Sequence, residues 1–333
     1  MKEKLILSII VPVYGVEKFI ERCSRSLFEQ TILKQYRVEF IFVNDCTKDD
    51  SIQVLENVIN DYPQLKEFVN IINLKSNEGL FMARHYGLMQ AKGKYIAHID
   101  SDDYVDITMF EKMIEIAENK QLDMVWCGLV KEKKNGEHIH FGLYKYNTPS
   151  DFLRHAIHDE RIWCVWGKIY RREIAMLAEN MVPLERINFA EDLFRTALML
   201  LSCKSCEPVH EELYHYCENL TSISSSQKTR DFFPDMVKIG NHLESILPSC
   251  YSLEVKQYKQ LVLWKAITLH TPSTYKLYNH IWPNERKSTY LGAKYSYRCI
   301  YRIASISFPV AAWIWKNVMP LYMKLLGKGK LIK

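Results

Sequence analysis

Nine residues near the start, Leu5–Val13 (LILSIIVPV), form an almost unbroken run of β-branched and other apolar side chains. A strand with one wet face would alternate, so this run belongs to a strand covered on both faces, as in a parallel sheet flanked by helices. The segments that follow repeat the theme. Phe19, Ile20, Cys23 and Leu27 recur at helical spacing, residues 38–43 read as a second strand, and Ile52, Leu55, Val58 and Ile59 mark a helix ending at Pro63. Residues 68–74 read as a third strand, 80–91 as a helix, 95–99 as a fourth strand, 108–119 as a helix and 122–127 as a fifth strand. This alternation with short connections predicts an α/β fold, a Rossmann-like, mostly parallel sheet with helices on both faces. Residues 131–160 read as polar and irregular, with a hairpin turn at Asn135-Gly136. Residues 161–218 read as mixed structure and 230–270 as mainly helical.

A chain of 333 residues is long enough for about two domains. With 48% hydrophobic and 25% charged residues it is not a disordered chain. Nine cysteines at irregular spacing, with no leader pattern before them, argue against a disulfide framework and make a reducing cytoplasm the expected setting. The net charge of +5 hides an asymmetry. Residues 286–333 hold ten Lys/Arg and no acidic residue, whereas residues 1–285 hold 34 basic against 39 acidic side chains.

Two acidic clusters follow apolar runs directly: Asn44-Asp45 after the second strand, and Asp100-Ser101-Asp102-Asp103 after the fourth. In an open α/β sheet the carboxyl ends of the strands line the ligand crevice, so both clusters are expected to face one cavity. Three carboxylates within four residues repel one another unless a cation lies among them. A hard divalent ion bridging to a diphosphate has the required chemistry. Plainer uses stay open at this point: Asp102 or Asp103 would cap the helix near Ile107, and Asn-Asp is ordinary turn chemistry.

The segments 9–14 (IIVPVY), 42–51 (FVNDCTKDDS), 77–87 (NEGLFMARHYG), 93–103 (GKYIAHIDSDD) and 190–192 (AED) stand in the order and spacing of glycosyltransferase family two. The chain thus resembles these inverting GT-A enzymes, which use nucleotide-diphosphate sugars. Segments 166–172 (WGKIYRR) and 212–224 (ELYHYCENLTSIS) are similar to bacterial members that build surface polysaccharides. The resemblance covers about residues 5–225.

The resemblance implies a role for each matching residue. Pro12 and Tyr14 would wall the nucleotide base, with Glu17 nearby. Asp45 would accept a hydrogen bond from the base, and Arg84 would lie on the base and diphosphate side. Asp100, with Ser101 beside it, would hold the ribose. Asp102 would bind the metal, Mn²⁺ or Mg²⁺, that bridges the diphosphate, and Asp192 would be the general base. Trp166 and Lys168 would pack and orient the acceptor side. The implied reaction is metal-dependent, inverting transfer from a nucleotide-diphosphate sugar, UDP-sugar foremost, to a hydroxyl of a growing, lipid-linked saccharide. A non-catalytic nucleotide-sugar-binding scaffold is the alternative. Nucleotidyl transfer lacks support, because no glycine-rich, lysine-bearing loop stands near Tyr14.

Two departures stand out. Cys46-Thr47-Lys48 replaces the family's usual Gly-Ser-Thr, which puts that loop's conformation in question, and His85 stands where Asn is common. Glu191-Asp192 also reads as the start of an amphipathic helix, where acidic residues favour the dipole. The lone Cys203-Lys-Ser-Cys206 carries little weight as a metal or redox site, and His138 and His140 read as solvent-facing.

In the tail, residues 303–315 are uncharged, contain Pro309 and are too short to span about 30 Å of hydrocarbon. Basic residues lie on both sides, with Trp313, Trp315 and Tyr322 among them. This pattern predicts helices lying on an anionic membrane surface, and not a nucleic-acid site, because long apolar runs interleave the charges. The expected organisation is a GT-A domain over 1–225, a helical region over 226–285 and a basic, membrane-associating tail over 286–333. The protein would then sit peripherally on the inner face of the cytoplasmic membrane.

Overall fold

The computed structural model describes residues 5–141, 146, 148–157, 163–183, 185–187, 189–219, 233–269, 282, 303–304 and 307–320. The chain divides into two compact units, Met1–Lys228 and Thr229–Lys333.

The first unit is built on one sheet of nine strands: β1 (Leu5–Val13), β2 (Arg37–Asn44), β3 (Val69–Asn73), β4 (Tyr95–His98), β5 (Tyr104–Val105), β6 (Met124–Glu132), β7 (His138–Phe141), β8 (Lys168–Arg171) and β9 (Cys206–Cys217). Their order is β3-β2-β1-β4-β8-β6-β9-β5, with β7 paired to β6. Strands β1, β2, β3, β4, β6 and β9 share one direction; β5, β7 and β8 oppose it. The sheet is therefore mixed but mostly parallel, and its strand order reverses at β1, between β2 and β4. That is where an open α/β sheet leaves a crevice beyond its carboxyl ends.

Among the described residues, seven α-helices accompany the sheet: α1 (Ile20–Phe28), α2 (Ser51–Asp61), α3 (Leu80–Gln90), α4 (Met109–Lys120), α5 (Pro149–Ala156), α6 (Arg172–Glu179) and α7 (Glu191–Ser202). Alternation along β1 explains why both faces are covered. Ile9, Val11 and Val13 join a buried cluster with Ile20, Leu27, Leu55, Val58, Phe110 and Met113 of α1, α2 and α4. Ile10 points the other way, towards α3. Pro12 fits inside β1 because Ile10 O accepts from Ile99 N while Val13 O accepts from Asp45 N, so alternate residues face β4 and β2. The N–H that Pro12 lacks falls on the β4 side, beyond the last paired residue, Ile10.

Three features differ from the sequence expectation. Strand β6 runs on to Glu132, because β9 pairs alongside it, and the Asn135-Gly136 turn leads back into β7. The segment read as irregular also contains α5, with Pro149 at its first position and Thr148 Oγ1 accepting from Asp151 N at 3.0 Å. Strand β8 inserts antiparallel between β4 and β6.

The second unit contains α8 (Phe233–Ile246), α9 (Ser252–Leu269) and α10 (Phe308–Asn317). Pro309 does not break a helix here; it occupies the first turn of α10, where its missing N–H leaves nothing unpaired.

Gly87 decides how closely α3 lies on the sheet. A Cβ there would stand 2.4 Å from Ile10 Cγ2 and 3.2 Å from Val43 Cγ2. The close approach carries Arg84, one turn earlier, towards the end of β4. Gly87→Val is expected to lower unfolding free energy by about 2–3 kcal/mol through overpacking, read from urea unfolding.

Candidate active site

Asp45 ends β2 and organises the first half of the site. Its backbone N–H donates to Val13 O, and its buried carboxylate accepts from Glu78 N at 2.7 Å and Gly79 N at 2.9 Å. Burial pushes its pKa up, and the two N–H groups oppose that rise. Asp45 thereby positions the entry to α3. Cys46, next along, has φ +57°, the left-handed conformation that glycine adopts freely. The cysteine adopts it with strain of about 1 kcal/mol. Thr47 Oγ1 accepts from Gly15 N at 2.9 Å and Ser51 Oγ from Val16 N at 3.0 Å, which laces the loop after β2 to the loop after β1. Tyr14 stands half exposed on that rim, and Glu17 is exposed near Asp50, whose N–H it accepts at 3.4 Å.

The second half centres on Arg84, whose side chain has no exposed surface. Its Nη2 donates to Asp100 Oδ1 at 2.6 Å, and its Nη1 to Glu191 Oε1 at 2.6 Å and Asp192 Oδ1 at 2.5 Å. One guanidinium from α3 therefore joins the loop after β4 to the first turn of α7. The resemblance placed Arg84 against the base and diphosphate. The structure buries it fully and turns it towards Asp100, Glu191 and Asp192.

The clustered acids after β4 separate into different tasks. Asp100 turns to Arg84, and Ser101 is buried. Asp102 accepts from Asn219 Nδ2 at 3.0 Å, and its backbone carbonyl accepts from Arg22 Nη2 at 3.1 Å. Asp103 is fully buried; Tyr214 Oη donates to it at 2.6 Å and Cys217 N at 2.8 Å, which fastens β9 to this loop. Neither Asp102 nor Asp103 caps the following helix: Asp106 Oδ1 accepts from Thr108 N there. At α7, Glu191 and Asp192 form the first turn, preceded by Ala190 at φ +59°. Strained backbone at a site rim is a feature of positions held for a purpose.

Burial dominates the electrostatics. It pushes Asp192 up to about 7 and Asp100 up to about 6, with Arg84 opposing both and neighbouring carboxylates adding to the rise. Burial also raises Asp102. It raises Asp103 well above the carboxylate range, reinforced by Asp102 and Asp100. Burial alone would lower Arg84, but Asp192, Asp100 and Glu191 reverse the sign and keep it charged. A second ion pair, Arg195 with Glu179, lies close by, and His85 Nδ1 is 2.7 Å from Glu179 Oε1. His98 is buried; burial, then the charges of Arg195 and Arg84, hold it neutral.

Asn219, Tyr214 and Cys217, which the sequence pattern left without a role, are the residues that hold the acidic loop. Trp166 stacks on Tyr214 with centroids 4.3 Å apart. Lys168, 4% exposed, donates to Cys164 O at 2.6 Å. His215 pairs with Glu132 and stacks on Tyr104, and His210 is exposed. Among the described residues no group of three His, Cys, Asp or Glu is arranged to hold a metal alone. The Asp102 carboxylate is a hard oxygen donor of the kind a divalent ion takes together with phosphate and water.

The raised pKa of Asp192 has a consequence for stability. Its folded value lies above its unfolded one, so the folded state binds the extra proton between roughly pH 4 and pH 7, and stability falls as pH rises through that window. Asp192→Asn is expected to be more stable than wild type at pH 8, by roughly 1–3 kcal/mol, with the gap closing towards pH 5. Urea unfolding at the two pH values checks this; equal stability at pH 8 would show that the carboxylate is not strained.

Comparison with known proteins places this geometry. Residues 8–175 match the family described as Glycosyl transferase family 2. EpsJ of Bacillus subtilis, described as an uncharacterized glycosyltransferase, is 36% identical over 225 residues, which is 66% of this chain and 63% of EpsJ, less than two thirds of that relative. TuaG of the same species, a putative teichuronic acid biosynthesis glycosyltransferase, is 31% identical over 226 residues, 67% of this chain and 83% of TuaG. The crystal structure of residues 1–349 of Staphylococcus aureus TarS in complex with UDP-GlcNAc aligns with TM-score 0.62 and 20% identity, covering 98% of this chain and 88% of that one. The α/β fold is GT-A-like, shared with TarS. On the family match, this chain belongs to glycosyl transferase family 2.

Proposed function

We propose that the protein transfers a sugar, with inversion, from a UDP-sugar to a hydroxyl of a growing, lipid-linked saccharide in surface-polysaccharide assembly. The observation that carries this reading is the Arg84 bridge from Asp100 at the end of β4 to Asp192 at the start of α7. It sets an acidic group suited to the donor beside a carboxylate whose pKa, about 7, suits proton transfer near neutrality. The UDP-GlcNAc complex of TarS and the teichuronic acid assignment of TuaG support the donor class and the setting.

In this reading Pro12 and Tyr14 offer a flat wall to the base, with Glu17 at the rim and Asp45 holding the loop behind it. Asp45 keeps lone pairs beyond the two that Glu78 and Gly79 use, so it can also accept from the base. Asp100, steadied by Arg84, holds the ribose, with Ser101 beside it. Asp102, steadied by Asn219, holds Mn²⁺ or Mg²⁺. The metal would supply Lewis-acid stabilisation of the charge that builds on the leaving diphosphate. Asp192 accepts the proton of the acceptor hydroxyl as that oxygen bonds to the anomeric carbon and the bond to the diphosphate breaks. A single displacement inverts the centre. Trp166, stacked on Tyr214, and Lys168 orient the acceptor side.

The test is nucleotide release from a panel of UDP-sugars with Mn²⁺, with and without saccharide acceptors. Release from one donor is expected, abolished in Asp102→Ala and reduced about 10²–10⁴-fold in Asp192→Asn. Unchanged turnover in Asp192→Asn would remove it as the base. Donor binding without turnover across the acceptors would favour a scaffold role.

A further inference from the structure

Helix α10 has two unlike sides. Ala311 and Ala312 are buried, at 0% and 1% exposure, and the helix packs against α9. On the opposite side Val310 is 49% exposed and Trp313 60% exposed, one turn apart, and Val318 just beyond the helix is 43% exposed. Lys316 borders this face and is exposed. An indole so open to water is unfavourable for an isolated soluble surface; Val310 lies one turn before it, and Lys316 and Asn317 are exposed one turn after it.

Charge indicates what the face meets. Residues 286–333 carry ten basic side chains and no acidic one, while the preceding 285 residues are net acidic. A second copy of this chain would carry a second segment of the same charge sign. An anionic lipid surface complements both properties: its acyl boundary takes Trp and Val side chains, and its headgroups take Lys and Arg. No helix among the described residues is long and apolar enough to cross a membrane. The 10 residues of α10, with one apolar side, have the dimensions of a helix that lies in the interface plane.

We propose that the Val310–Trp313 face of α10 is the element that enters an anionic bilayer surface, with Trp313 as its apolar anchor and Lys316 beside it as an electrostatic contact. This goes beyond the charge pattern, because it assigns insertion to one side of one helix. It does not depend on the proposed chemistry, and its test involves no sugar transfer.

Full-length protein is sedimented with phosphatidylcholine vesicles and with phosphatidylcholine–phosphatidylglycerol vesicles. Binding is expected to the mixed vesicles only, weakened about tenfold by Trp313→Ser and largely retained in Trp313→Phe. Brominated acyl chains give a second readout on folded protein: they should quench wild-type tryptophan fluorescence, and the quenching should fall in Trp313→Phe. The proposal is overturned if Trp313→Ser binds like wild type, if neutral vesicles bind equally well, or if quenching is the same in Trp313→Phe. It is also overturned if ultracentrifugation shows a wild-type dimer that Trp313→Ser dissolves, since the face would then belong to a second copy.

Discussion

The site depends on one guanidinium, itself out of contact with water, that faces three carboxylates, of which Asp100 and Asp192 are about a quarter exposed. Arg84 alone cannot neutralise Asp100, Glu191 and Asp192, so the group keeps a negative excess. Removing the arginine would strand these carboxylates, a loss that typically costs about 3–5 kcal/mol in a buried cluster, which makes Arg84 a structural residue. Burial first, with that excess adding to it, pushes Asp192 up to about 7 and Asp100 up to about 6. A site built this way is poised to take up a cation and to lose protons near neutral pH.

Several otherwise unrelated details serve that contact. Asp45 fixes where α3 begins, Gly87 lets α3 settle onto β1, and Arg195 ties α7 to Phe81 O and Glu179. Ala190 in the left-handed region turns the chain so that Glu191 and Asp192 start α7. The loop after β4 is held from the far side by Tyr214 and Cys217 on Asp103. Each element is ordinary alone. Together they bring residues 84, 100 and 192 within hydrogen-bond reach.

Much of this was legible along the chain. Continuous apolar runs marked β1, β2 and β4, and the acids at their ends marked the crevice, because strand burial and strand-end placement are local properties. The partners were not legible, because they are set by topology. Nothing near Asp103 announces Tyr214, and nothing near Arg84 announces Glu191, 107 positions away. Repulsion among Asp100, Asp102 and Asp103 argued for a cation among all three, yet Asp103 turns inward to hold β9. The segment after Cys127 looked irregular because β6 pairs with β9, far along the chain. At Cys46 the missing glycine put the loop's conformation in question, and the fold holds that cysteine in the left-handed region.

Burial raises Asp192 and Arg84 restrains that rise, and the pH dependence of turnover tests the arginine's part most directly. Wild type should lose activity below about pH 7 as Asp192 takes up a proton. In Arg84→Lys the ammonium cannot span three carboxylates, so the midpoint should move to higher pH and the plateau should fall. The same midpoint and full activity in Arg84→Lys would contradict that control by the arginine.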